Sequence, residues 1–426
     1  MIGNSSRADR NIAVAADHIV FLVDAPFSHR EWDRLNLVVL ERSGLTFEVW
    51  DCTVALFGNT RGRPATVRNP APVHIQRFVD VAGIVKAIGE RAERGVIFVS
   101  TMGYDGKARS VFRALSRARA RYALLAVDTQ PYGDTAVRSL GGKARSNGRS
   151  WRAVGQTVLA RLAARLRGIH PPELIVAGGA LSLTSTELRL TGRRTKILWA
   201  HAADYDQFLL RSPRPQTPSA ATAVFLDQYL EGHPDRLLQG GSFCDPESYY
   251  ANLRRVFASV ETTLGVEVRI AAHPEASYAP RDDRFGGREI SWGQTLDLVR
   301  ASQLVLAHDS TAVGYAVLCR RPVTFLTDDG LAKNAVRRTA TQTMASWLAR
   351  TVYNVDHEPL PQWKDELRID LLAYGAYRDA FVKRDGTPER PLWEIVSGHL
   401  AGSTPTQSSL MPDSNVCNES PTDHLP

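Results

Sequence analysis

Two clusters in the second half of the chain carry residue types suited to holding a phosphate. One is His273-Pro274, which follows the alternating run Val266, Val268, Ile270 and Ala271-Ala272. The other is His308-Asp309-Ser310-Thr311, which follows Leu304-Val305-Leu306-Ala307. An imidazole N–H and small hydroxyls are compact hydrogen-bond donors. Aimed at a phosphate oxygen, they stabilise the negative charge that builds on a departing group.

The elements around these clusters give them a position. The first run has the period of a short buried strand, and the second is continuously apolar. A third, Val323-Thr324-Phe325-Leu326, follows the turn at Arg320-Arg321-Pro322. Helical stretches separate them, which is the pattern of βαβ units in a parallel sheet. Ligands of such sheets sit beyond the carboxyl ends of the strands, where His273 and Asp309-Ser310-Thr311 are expected. Ser310 or Thr311 is also placed to cap the helix after it, whose free N–H groups favour a phosphate.

The first half repeats the strand–helix alternation. Strands are expected at His18–Val23, ending at Asp24, at Phe47–Trp50, Gly95–Ser100, Tyr122–Val127, Glu173–Gly179 and Thr195–Ala200. A helix from Ser28 to Leu40 carries Arg30, Asp33 and Arg34 in its first turns, either as a solvated face or as part of a cleft. Asp105, in the turn Thr101-Met102-Gly103-Tyr104-Asp105-Gly106, is the candidate carboxylate for general-base work, although Asp-Gly is also an ordinary turn pair. His201, Asp204 and Asp206 crowd the same edge, at a spacing that matches no metal motif we can defend. No metal site and no cofactor are expected.

At 426 residues the chain is long for one domain. Ser212–Ala221, with Pro213, Pro215 and Pro218 among Ser and Thr, reads as a linker between a first domain at 13–211 and a second at 222–400. Pro391–Leu400 could form a closing helix that returns to the first domain. The Ser- and Pro-rich 401–426 has no apolar periodicity and reads as a disordered tail, and Ser139–Ser150 as a mobile basic loop.

The net charge of +7 is unevenly spread: Lys107–Ile169 holds fourteen Lys or Arg against two acids. Arg109, Arg113, Arg117 and Arg121 recur every four residues and are expected on one helix face, as a solvated stripe or a surface for anionic membrane. Nucleic acid is not expected, since no recognition module accompanies the charge. The four cysteines are scattered, without zinc spacing. Together with a polar N-terminus, they point to the cytoplasm, with peripheral attachment to a membrane left open.

The strand ending in His-Pro, the strand running into Ser-Thr before a helix, and the Pro-initiated strand after it resemble the bacterial GT-B glycosyltransferases of surface polysaccharide synthesis. The matching pieces are Ile270-Ala271-Ala272-His273-Pro274, Ala307-His308-Asp309-Ser310-Thr311 and Arg321-Pro322-Val323. The likeness is greatest to the sialyltransferase-like and capsule-related members. It implies an α/β fold of two Rossmann-like domains with parallel sheets facing across a cleft. It further implies a nucleotide-sugar donor, CMP-linked in preference to UDP-linked, held at its phosphate by His273, Ser310 and Thr311, and a glycan or lipid-linked acceptor. In that family an acidic residue precedes the Asp-Gly whose Asp is the base; here Tyr104 precedes Asp105. The same motifs suit a CDP-polyol phosphotransferase, and the architecture suits a nucleotide-sugar epimerase. A non-catalytic partner in polysaccharide assembly, using the basic face, is the reading from another class.

Overall fold

The runs Ile19–Val23, Ala223–Leu226 and Leu304–Ala307 are wholly buried. Strands of this kind need both faces covered, which a parallel sheet between helical layers provides. A computed structural model describes residues 16–58, 73–93, 95–104, 106–127, 129–131, 151–183, 189–211, 221–232 and 244–401, without the side chains of 151–158. Asp105, the loop at Ser139–Ser150, the linker apart from Ala221, and the tail beyond Ala401 lie outside the described residues.

Two parallel sheets organise the chain. In the first, β1 (His18–Val23), β2 (Thr46–Asp51), β3 (Ile75–Arg77), β4 (Val96–Ser100), β5 (Arg121–Ala126), β6 (Leu174–Ala177) and β7 (Lys196–Trp199) lie in the order β3-β2-β1-β4-β5-β6-β7. In the second, β8 (Thr222–Leu226), β9 (Glu267–Ala271), β10 (Ile290–Ser291), β11 (Ser302–Ala307), β12 (Val323–Thr327) and β13 (Val352–Asn354) take the order β10-β9-β8-β11-β12-β13. Every pairing in both sheets is parallel. The order reverses between β1 and β4 in one sheet and between β8 and β11 in the other. These are the switch points at which α/β sheets open a crevice.

Strands β3, β10 and β13 escape the apolar pattern because they are two or three residues long and lie at sheet edges. The helix expected from Ser28 to Leu40 is two helices, His29–Arg34 and Leu37–Arg42. Asn36 breaks it, in the left-handed conformation at φ 49°. Ser28 caps the first piece in a capping box with Glu31.

The closing helix, Leu392–Leu400, crosses back to the first domain. Trp393 meets Phe21 edge-on at 5.2 Å, and its indole N–H donates to the Leu35 carbonyl at 2.6 Å. Just before it, the segment Arg378–Val382 accepts backbone bonds from Ala180, Leu181 and Ala202 of the first domain. No helix among the described residues is long and apolar enough to cross a membrane.

Candidate active site between the two sheets

Three strand ends meet at the switch point of the second sheet. β9, β8 and β11 are neighbours, and they are followed by His273, Asp227 and Ser310 respectively. Asp227 comes directly after β8, is 5% exposed, and accepts the backbone N–H of His273 at 3.3 Å and of Tyr229 at 3.0 Å. Burial pushes its carboxyl up to about 6, against the pull of those N–H groups and of Tyr278. The His273 imidazole, half-buried, accepts the Glu275 N–H on Nδ1 at 3.3 Å. That bond places the ring proton on Nε2, where it can serve as a donor. Pro274 is exposed at the turn.

The Ser-Thr cluster differs in detail from its expected geometry. Ala312, not Ser310 or Thr311, is the N-cap of the next helix, and no side chain caps it. The buried Ser310 hydroxyl instead accepts the Ala312 N–H at 3.3 Å, and Thr311 is exposed. The helix itself, Val313–Leu318, has six residues, so its dipole is weaker than the sequence pattern promised.

His308 and Asp309 are committed to the scaffold, contrary to their expected contact with a donor. His308 is 1% exposed; its Nδ1 donates to the Leu326 carbonyl at 2.7 Å and its Nε2 accepts the Tyr249 hydroxyl at 2.9 Å. Burial lowers its pKa, so the ring is neutral. Asp309 is buried in an ion pair with Arg337, at 2.8 Å. The pair fixes the turn that presents Ser310.

The first domain meets this edge across a cleft. Arg30, on the helix that follows β1, lies 3.6 Å from Glu275, two residues past His273. Both groups come after the carboxyl ends of their strands, so the carboxyl edges of the two sheets face each other. The fold is of the GT-B type.

Several solved structures align along most of the chain at low identity. The UDP-GlcNAc 2-epimerase of Methanocaldococcus jannaschii is 9% identical, covering 89% of this chain and 98% of its own, with a TM-score of 0.45. The wall teichoic acid polymerase TagF is 10% identical over 91% and 89%, TM-score 0.48. The calicheamicin glycosyltransferase CalG4 is 12% identical over 91% and 96%, TM-score 0.44. No family model matches the chain, and no curated protein matches it.

The remaining candidates separate into cleft, hinge and distant surface. Asp33 is exposed beside His29 at 3.7 Å, and Arg34 is exposed next to it. Asp204 approaches the second domain: its Oδ2 stands 3.4 Å from where a Cβ on Gly314 would lie. His201 is fully buried, with Nε2 against the Arg390 carbonyl at 2.8 Å and Asp206 at 3.3 Å. Contrary to the expectation of no metal-motif spacing at this edge, Asp204-Tyr205-Asp206 does have the spacing of an Asp-x-Asp motif. On the helix Ala203–Leu210, Asp206 is buried and bonded to the Leu392 N–H and the Asn36 amide. It does not join Asp204 as a second ligand.

The arginine stripe is not one helix face. Its helix ends at Arg117, Arg119 turns left-handed at φ 53°, and Arg121 begins β5. Arg121 grips Glu173 through two bonds of 2.8 and 2.9 Å.

Two carboxylates at the switch points were not singled out from sequence as site residues. Asp24 follows β1 and Asp227 follows β8, the strands beside the switch point of each sheet. The available signal was an aspartate closing a strand that is apolar throughout, at Phe21-Leu22-Val23-Asp24 and Val224-Phe225-Leu226-Asp227.

Proposed function

We propose that this chain is a GT-B glycosyltransferase acting on a nucleotide-activated sugar, with the donor phosphate held at the carboxyl edge of the second sheet. The convergence of His273, Asp227 and Ser310 on three adjacent strand ends carries the reading. His273 Nε2–H and the Ser310 and Thr311 hydroxyls donate to the phosphate oxygens. Asp227 holds the loop that presents His273. The acceptor hydroxyl attacks the anomeric carbon as the bond from that carbon to the phosphate oxygen breaks. The nucleotide leaves with the electron pair, and the hydroxyl proton passes to a first-domain carboxylate, Asp105.

The resemblance of the His-Pro and Ser-Thr motifs favours a CMP-sugar over a UDP-sugar, and a glycan or lipid-linked acceptor in cell-surface polysaccharide synthesis. The donor is a substrate, and the transfer draws on no cofactor.

Calorimetry with CMP, UDP and GDP tests the site directly. CMP is expected to bind most tightly, and His273→Ala to weaken it by roughly tenfold or more, the loss of a hydrogen bond to a charged group. Absence of binding to all three nucleotides would remove the proposal. A phosphodiester rather than a glycosidic bond in the product would reassign the enzyme to polyol phosphate transfer.

A further inference from the structure

A group of arginines gathers at the edge of the first sheet opposite the cleft. At the amino-terminal edge of β5, β6 and β7 an open cavity of about 1090 Å³ is lined by Arg119, Arg161, Arg165, Arg193 and Arg194. Among the described residues, the acid that lines it is Glu173, which Arg121 already holds. The Arg165 guanidinium donates to the Thr191 carbonyl at 3.3 Å, tying one wall to the other.

The helix that forms one wall, Trp151–Leu166, carries a second feature. Leu159, Leu162 and Leu166 are 67%, 54% and 80% exposed. Spaced by three and four residues, they lie on one face of the helix, opposite the buried Ala164. Ile197 is a further exposed apolar side chain of the first domain. It sits on the edge strand β7 in register with Ile175, is 42% exposed, and faces the same side of the sheet as the helix. Isolated exposed leucines are ordinary, but an apolar row flanked by arginines is the composition of a surface that enters a lipid interface.

We propose that this end of the first domain docks on an anionic lipid bilayer. The leucine row enters the headgroup boundary while Arg161, Arg165, Arg193 and Arg194 meet lipid phosphates. A soluble polyanion would match the arginines but would leave the leucines in water, which is why a bilayer is the better partner. The surface differs from the four-residue arginine stripe of the sequence, because Arg121 is engaged by Glu173. It lies at the opposite edge of the sheet from the cleft, so docking and donor binding are separable.

Flotation with vesicles of phosphatidylcholine, with and without phosphatidylglycerol, tests the proposal on the full chain. Binding is expected only to the anionic vesicles and to fall with added salt. Each arginine near such a surface contributes roughly fivefold in partitioning, so Arg193→Glu with Arg194→Glu should lose well over tenfold. Leu159→Ser, Leu162→Ser and Leu166→Ser together should lose a comparable amount, with circular dichroism and the melting temperature unchanged, since all three side chains are already exposed. Failure to float with anionic vesicles, or flotation that survives both sets of substitutions, overturns the proposal. So does binding to soluble polyphosphate as tight as to vesicles and indifferent to the leucine changes.

Discussion

The Asp227 carboxylate accepts the backbone N–H of His273 at 3.3 Å, joining the ends of two adjacent strands inside the proposed donor site. Because burial lifts Asp227 to about 6, the bond has a pH dependence. An aspartate in the unfolded chain titrates near 3.9. Between about 4 and 6 the native state holds a proton that the unfolded chain has released, so stability falls as pH rises through this window and levels off above it. The loss amounts to about 3 kcal/mol. Urea unfolding across this range should show the slope in the wild type, and Asp227→Asn should flatten it. An unchanged slope in the variant would assign the effect to other groups.

Asp227 also shows why part of the site was hidden in the sequence. The strand before it is readable from Ala223-Val224-Phe225-Leu226, but the meaning of the next residue depends on which strands lie beside it. Only the order β9-β8-β11 makes it the neighbour of both His273 and Ser310. His308 fails in the opposite direction. Its place after an apolar strand looked like a ligand position, yet Tyr249, from a helix about sixty residues earlier, and the Leu326 carbonyl take both ring nitrogens. Parallel sheets were legible because apolar period and length encode them, whereas the return of the closing helix to the first domain was an analogy with other two-domain proteins that no residue pattern encodes. Long-range hydrogen-bond partners are encoded by neither.

Across the cleft, Arg30 and Glu275 are 41% and 31% exposed. Such pairs add about 0–1 kcal/mol to stability, so Arg30→Glu should leave the melting temperature nearly unchanged. Its effect is expected on catalysis, through repulsion between the domains when the cleft closes. A fall in kcat/KM that Glu275→Arg restores in the double variant would establish the pairing. A fall that the second change does not repair would place Arg30 on the substrate instead.

Metal dependence gives a third test. Asp206 of the Asp204-Tyr205-Asp206 triplet is occupied by Leu392 and Asn36, and the phosphate donors of the proposed site are neutral hydroxyls and an imidazole. Sugar transfer is therefore expected to proceed at an unchanged rate in EDTA. Turnover that stops in EDTA and returns with Mg²⁺ would require a divalent ion at the donor phosphate and a revised set of ligands.

Asp206 also ties together the segments that fix the two domains. Its Oδ1 accepts the Leu392 N–H at 2.9 Å and lies 3.3 Å from His201 Nε2, while Oδ2 accepts the Asn36 amide at 3.3 Å. Burial raises its carboxyl and the His201 contact opposes the rise. Asp206→Ala would leave a buried N–H and a buried amide without their acceptor, and breaking such a network costs about 3–5 kcal/mol. The closing helix should be the first part to loosen, because its first backbone N–H depends on this carboxylate. Limited proteolysis is expected to cut between Lys383 and Pro391 in the variant at concentrations that spare the wild type, with thermal melting lowered in parallel. Equal resistance in both proteins would mean that Trp393, seated on Phe21 and Leu35, holds the helix without the help of Asp206.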